Sequence, residues 1–183
     1  MAMTMKGEVD LPATRAVVWK ALNDPDVLKA CIPGCESLER SDDNSLVAVA
    51  KVKVGPVSAA FKGKVNLLDL DPPNGYRIQG EGEGGVAGFA KGGATVRLAE
   101  IPTGTKLSYD VEAQVGGKIA QLGARLIDGV AKKMADQFFT DFAAAVERQE
   151  GAAPPAPAAE PAQQDSGRGW LQRLIAWFMD LWR

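Results

Sequence analysis

From residue 45 to residue 115 the chain alternates apolar and polar residues, and this period of two leaves few architectures open. Leu107, Tyr109, Val111, Ala113 and Val115 point one way, while Lys106, Ser108, Asp110, Glu112 and Gln114 point the other. Tyr76 and Ile78 alternate with Arg77, Gln79, Glu81 and Glu83, and Phe61, Val65 and Leu67 alternate with Lys62, Lys64 and Asn66. Successive side chains on a strand face opposite sides, so such segments are antiparallel strands with one face on a core and one in water. Turn residues at Gly55-Pro56, Pro72-Pro73-Asn74-Gly75 and Pro102-Thr103-Gly104 divide the stretch into at least five strands. At residue 117 the period changes. Ile119, Leu122, Leu126, Val130, Met134, Phe138 and Phe142 recur every three or four residues, which predicts one long amphipathic helix over 117–150. Gly123 and Gly129 weaken that helix locally and are expected to allow close approach to whatever it covers.

Ahead of the sheet, Glu8–Leu11 is expected as a short strand and Pro12 in the first turn of a helix over 13–22. Asn23-Asp24-Pro25 ends that helix and caps a second, over 25–30, before a turn at Ile32-Pro33-Gly34. Trp19, on the first helix, is expected in the core. The fold class is α+β, a curved antiparallel sheet wrapped around a long C-terminal helix.

Beyond this domain, placed at 1–149, the composition shifts. Residues 150–168 are rich in Ala and Pro, cannot bury a core, and are expected to form a flexible linker. Residues 169–183 carry three of the four tryptophans. On a helical wheel Trp170, Leu171, Leu174, Ile175, Trp177, Phe178, Leu181 and Trp182 fill one apolar arc. At 1.5 Å per residue this helix spans roughly 22 Å, short of a hydrocarbon core of about 30 Å. An interfacial membrane anchor is the leading expectation; a helix docking in a protein groove, or on its own domain, satisfies the same face.

Composition narrows the chemistry. The 183-residue chain has 46% hydrophobic and 24% charged residues with a net charge of −2, which suits a globular domain and offers no nucleic-acid surface. It has no histidine, so the usual general base, the usual zinc ligand and every Ser-His or Cys-His pair are missing. No catalytic or metal-binding residue is assigned, and an enzyme is not expected. Cys31 and Cys35 are one residue too far apart for a Cys-x-x-Cys site and read as packed thiols. The Gly82–Gly88 run lacks the spacing of a phosphate loop and lies between strands. Asp69, Asp71, Glu81 and Glu83 read as a solvated face. The N-terminus has no apolar run of the secretory type, so a cytoplasmic location is expected.

The inward face of the sheet is uneven. Tyr76, Ile78, Val96, Leu98, Leu107 and Tyr109 fill one end, while Gly80, Gly82, Gly84, Ala90, Gly92 and Ala113 supply almost no volume at the other. Either a pocket for an apolar small molecule lies there, or the glycines only let the sheet curve. The pocket reading assigns Tyr76, Ile78, Gly80, Gly82, Gly84, Phe89, Gly92 and Tyr109 of the sheet, with Leu122, Leu126, Val130 and Met134 of the helix, as ligand-binding residues.

The element order resembles the START/Bet v 1-like (SRPBCC) helix-grip superfamily. Within it, the run Leu28-Lys29-Ala30-Cys31-Ile32-Pro33-Gly34-Cys35-Glu36-Ser37-Leu38-Glu39 is similar to the signature of the CoxG family, the G-subunit of carbon monoxide dehydrogenase. Gly7-Glu8-Val9, Val18-Trp19, Leu22-Asn23-Asp24-Pro25 and Lys53-Val54-Gly55-Pro56 with Phe61-Lys62-Gly63 agree with it, over about residues 5–148. The resemblance implies a non-catalytic accessory to a molybdenum-containing CO dehydrogenase-type oxidoreductase, peripheral on the inner face of the cell membrane. Its implied partners are that enzyme, membrane lipid and a lipophilic molecule, a quinone, with no covalent cofactor. A membrane-recruitment adapter or maturation factor without ligand stays open, as does an enzyme of the polyketide-cyclase type.

Overall fold

A computed structural model describes residues 1–152. One seven-stranded, wholly antiparallel sheet in the order β1-β7-β6-β5-β4-β3-β2 is crossed by a long C-terminal helix. The strands are β1 (Ala2–Leu11), β2 (Cys35–Asp42), β3 (Ser45–Val54), β4 (Val57–Asp71), β5 (Gly75–Glu83), β6 (Phe89–Ile101) and β7 (Gly104–Gly116). Helices α1 (Arg15–Leu22) and α2 (Pro25–Cys31) lie between β1 and β2. The short α3 (Lys118–Gln121) and the long α4 (Ala124–Ala152) follow β7. This is the expected α+β helix grip: residues 45–116 hold five strands, β3–β7, the minimum read there, β1 contains the strand expected at its end, and β2 is the one strand not expected. The strand that turns alone do not reveal, β2 (CESLERSD), has too few apolar residues to alternate.

Local chemistry explains the boundaries. Asp24 caps α2, its carboxylate accepting from the Asp26 and Val27 backbone N–H groups at 3.0 and 3.5 Å, with Pro25 in the first turn. Pro12 lies outside α1, contrary to expectation: the helix begins after Thr14, whose N–H and hydroxyl both donate to Glu150 of α4 at 3.0 and 3.1 Å. β1 is longer than its predicted last four residues, because Met3, Met5, Gly7 and Val9 already alternate along β7. The single helix predicted over 117–150 is two. Gly123 adopts φ +92, a left-handed conformation that stops α3 and starts α4 on a new axis. A side chain at Gly129 would meet open space, so that glycine permits no close approach. α4 continues to Ala152, into the first residues expected of the linker. The rest of that linker, and Trp170, Leu171, Leu174, Ile175, Trp177, Phe178, Leu181 and Trp182, lie outside the described residues.

Buried apolar side chains form two clusters rather than one. The larger joins α1, the end of β1, the bulky ends of β5–β7, and Phe142 and Val146 of α4. Trp19 belongs to it, set edge-on to the ring of Tyr76 at 5.5 Å. The smaller joins Val54, Ala87, Val115, Ile119 and Ile127 at the opposite end of the sheet.

Candidate functional site

The register turns the uneven inward face into successive cross-strand rows. The bulky rows are Leu98–Leu107–Val9 and Tyr76–Val96–Tyr109–Gly7. Next comes Leu67–Ile78–Ala94–Val111–Met5, and then Val65–Gly80–Gly92–Ala113–Met3. The last is Gly63–Gly82–Ala90–Val115. Side-chain volume therefore falls along the sheet, and α4 does not make good the difference. Between Val130, in the smaller cluster, and Phe138, in the larger, eight residues cover about 12 Å of helix. Met134 lies midway, half-buried, and belongs to neither cluster. Met5, Val65, Ala94, Val111 and Ala113 on the sheet are also inward, half-buried and in neither cluster. A native core does not leave such apolar side chains short of neighbours. These half-buried residues outline a candidate apolar chamber, facing α4 between the two packed ends.

The glycines of its wall differ in kind. A Cβ at Gly82 would meet only ordinary contacts, at 3.7 and 3.8 Å, whereas at Gly80 it would press on the Lys64 carbonyl and the Val65 side chain at 3.3 Å. At Gly92 a Cβ would collide with the carbonyl oxygen of Glu112, and at Gly63 with that of Glu81 at 2.6 Å; these two let strands approach and curve. Gly92 and Gly63 thus serve close strand approach, and Gly82 is the position where added volume meets no clash. At Gly84 the space is already taken, for the ring of Phe61 lies 2.7 Å from where a Cβ would be.

The other assigned residues divide similarly. Tyr109 faces the chamber from its packed end, its ring stacked on Phe139 of α4 at 5.1 Å. Tyr76 is in the larger cluster, and burial pushes its phenol well above its ordinary pKa. Ile78 lines the chamber beside it. Leu122 and Val130 pack on the smaller cluster and close that end. Leu126 is 39% exposed and reaches the β3–β4 turn at Gly55; it is on the rim, not in the wall. Phe89 is a correction: it is 44% exposed, on the outward side of β6, with its ring over its cross-strand partner Gly116. Its neighbour Ala90 takes the inward position, as the pleat requires. Met3, Met5 and Val65 join the wall without having been expected there. For the first two, the alternation Met3-Met5-Gly7-Val9 carries the signal.

Little else competes as a site. Cys31 is buried and Cys35 half-buried, both free, and loss of solvation pushes both thiols up, away from reactivity. Their loop is pinned to β3 by a 2.8 Å hydrogen bond from Lys51 N–H to the Gly34 carbonyl. Among the described residues no group of three His, Cys, Asp or Glu side chains could hold a metal ion. A trough of about 1110 Å³ is lined mainly by outward residues of the sheet, Lys64, Gln79, Glu81, Lys91, Glu112 and Gln114 among them, with Met3, Ile78, Gly80, Gly92, Ala94 and Ala113 of the inward rows also contributing to its wall. It is polar and wide, and the cross-strand ladder Lys64–Glu81–Lys91 alternates in charge along it. This is the solvated face expected from sequence, and it is not the chamber. Among the described residues, no helix is long and apolar enough to cross a membrane.

Comparison with known proteins agrees with this architecture. A conserved protein of Geobacillus kaustophilus is 32% identical, with a TM-score of 0.76 over 80% of this chain and 97% of its own. At the level of fold alone, a protein of Thermus thermophilus is 15% identical with a TM-score of 0.62, over 80% of this chain and 99% of its own. An aromatase/cyclase from a Streptomyces species is also 15% identical, with a TM-score of 0.59 over 81% of this chain and 96% of its own. No curated protein matches by sequence. The family model for CoxG, the carbon monoxide dehydrogenase G-subunit, matches residues 7–147, and the chain belongs to that CoxG family.

Proposed function

We propose that the protein is a non-catalytic, membrane-tethered carrier of a lipophilic small molecule, a quinone, serving a molybdenum-containing CO dehydrogenase-type oxidoreductase. The observation that carries the reading is the chamber between the two packed clusters, walled by Ile78, Gly80, Gly82, Val111, Ala113 and Met134. Such a wall gains by removing apolar ligand surface from water, at about 25 cal/mol per Å², and it imposes little directional chemistry. Met134 and Met5, unbranched and flexible, can adapt to an isoprenoid chain or a ring. Membership of the CoxG family supports a CO dehydrogenase as the partner, and on this reading the carrier passes that enzyme's electrons to a quinone pool in the membrane. The amphipathic segment 169–183 supplies the tether, on the cytoplasmic side. No covalent cofactor is invoked.

The test is reconstitution. Vesicles containing a quinone are mixed with the dehydrogenase, and quinone reduction is followed on addition of carbon monoxide. The full chain should accelerate reduction, and deleting residues 168–183 should remove most of that gain. Acceleration that persists unchanged when Gly82→Leu fills the chamber would leave recruitment without carriage.

A further inference from the structure

At the end of the domain remote from α1, the β3–β4 turn, the 3₁₀ turn Gly85–Ala87 and the α3–α4 junction come together over the smaller cluster. Their tips are apolar and uncovered. Val86 is 86% exposed, Phe89 44% and Leu126 39%, with Leu126 beside Gly55. Ala87, next to Val86, is buried, so the cluster holds the turn while Val86 projects from it. The charges around this tip have one sign in excess. Lys53, Lys118 and Arg125 are exposed against the acids Glu83 and Asp128, in a chain whose net charge is −2. None of these three cations is in an ion pair among the described residues.

We infer that this tip is a second membrane contact, one that docks the domain end-on onto an anionic lipid surface. Apolar side chains on a rigid turn can enter the headgroup boundary, while the surrounding Lys and Arg meet lipid phosphates. The charge excess favours an anionic bilayer as the occupant.

This goes beyond the proposed carrier role and differs from the tether in mechanism. In the segment 169–183, Arg173 and Arg183 are partly offset by Asp180 and are outnumbered by the apolar arc, so its binding should be nearly insensitive to salt. Tip binding should be strongly sensitive. The experiment is hydrogen–deuterium exchange of the full chain with phosphatidylglycerol or phosphatidylcholine vesicles, at low and high salt. On phosphatidylglycerol at low salt, peptides covering 84–89 and 118–126 should exchange more slowly, with no slowing in high salt or on phosphatidylcholine. Peptides from 169–183 should stay protected throughout. Lys118→Glu with Arg125→Glu should weaken the tip contact on the order of thirtyfold, and Val86→Asp should also abolish its protection. Tip peptides exchanging at their solution rates on phosphatidylglycerol would overturn the inference, whatever the tail does. So would tip protection by the dehydrogenase alone, which would make the tip a protein-docking face. Failure of the tether reads out separately, in peptides 169–183.

Discussion

The ring of Tyr109 lies over Gly7, its cross-strand partner on β1, and fills the place where any β-carbon on residue 7 would stand. The same ring stacks on Phe139 of α4 at 5.1 Å. Gly7 therefore seats the aromatic that ends the packed core and begins the chamber. Gly116 under Phe89 repeats the arrangement on a strand, and Gly84, just past the end of β5, lies under Phe61 in the same way.

Gly7→Val should displace Tyr109 and destabilise the domain by about 1–3 kcal/mol, as overpacking does. Tyr109→Ala in the same chain should recover part of that loss. Denaturant titration of the two single variants and the double variant measures the coupling; strictly additive losses would mean that the ring does not depend on Gly7.

Gly82 and Gly92 should respond in opposite ways. Gly82→Leu places its side chain in the chamber and should leave the melting temperature nearly unchanged while blocking a quinone analogue. Gly92→Ala drives a methyl group into the Glu112 carbonyl and should cost about 1–3 kcal/mol. Thermal melts beside a binding titration separate the two effects. Equal destabilisation by both variants would mean that the glycines serve curvature alone.

The cysteines should be silent. Cys31→Ser with Cys35→Ser should preserve ligand and membrane binding. Because burial raises both thiols, labelling of the native protein by a thiol reagent should be slow at pH 7 and rise only above the ordinary thiol value of 9.0. Rapid labelling at pH 7 would contradict this.

Tyr76 should leave a trace in alkaline stability. In the unfolded chain its phenol ionises near 10.0, whereas the native protein keeps the proton to higher pH because the ring is buried. Its contribution is complete below pH 10 and is lost as the pH rises above that value. Tyr76→Phe should flatten the alkaline limb of the stability curve, measured by denaturant unfolding between pH 9 and 11.

Much of this architecture is legible in the residues. The alternation around Tyr76 and Leu107 predicts which face is inward, and pairs such as Ala50 with Phe61 then follow from the turn at Gly55-Pro56. Two kinds of information are not local. Whether a glycine leaves room or admits a neighbouring strand depends on the carbonyl opposite, which separates Gly82 from Gly92. Whether an aromatic is inward depends on register, and one position moves Phe89 from the chamber to the outer face. The break at Gly123 is readable only as a weakness, because its left-handed backbone depends on how α3 packs against β7 and the 3₁₀ turn.

The terminal segment should control membrane attachment. Deleting residues 168–183 should release the chain from vesicles of neutral lipid, and Trp177→Glu should weaken attachment markedly by placing a charge in the apolar arc. Vesicle flotation measures both. Flotation unaffected by the deletion would assign attachment elsewhere.

The central claim is that the chamber carries a lipid-soluble molecule. It is tested most directly by incubating the full chain with quinone-containing vesicles, re-isolating it, and measuring bound quinone by native mass spectrometry and solvent extraction. The account predicts one isoprenoid quinone per chain in the wild type and none in Gly82→Leu, with both proteins folded. An empty wild type, or equal loading of the two, would contradict it.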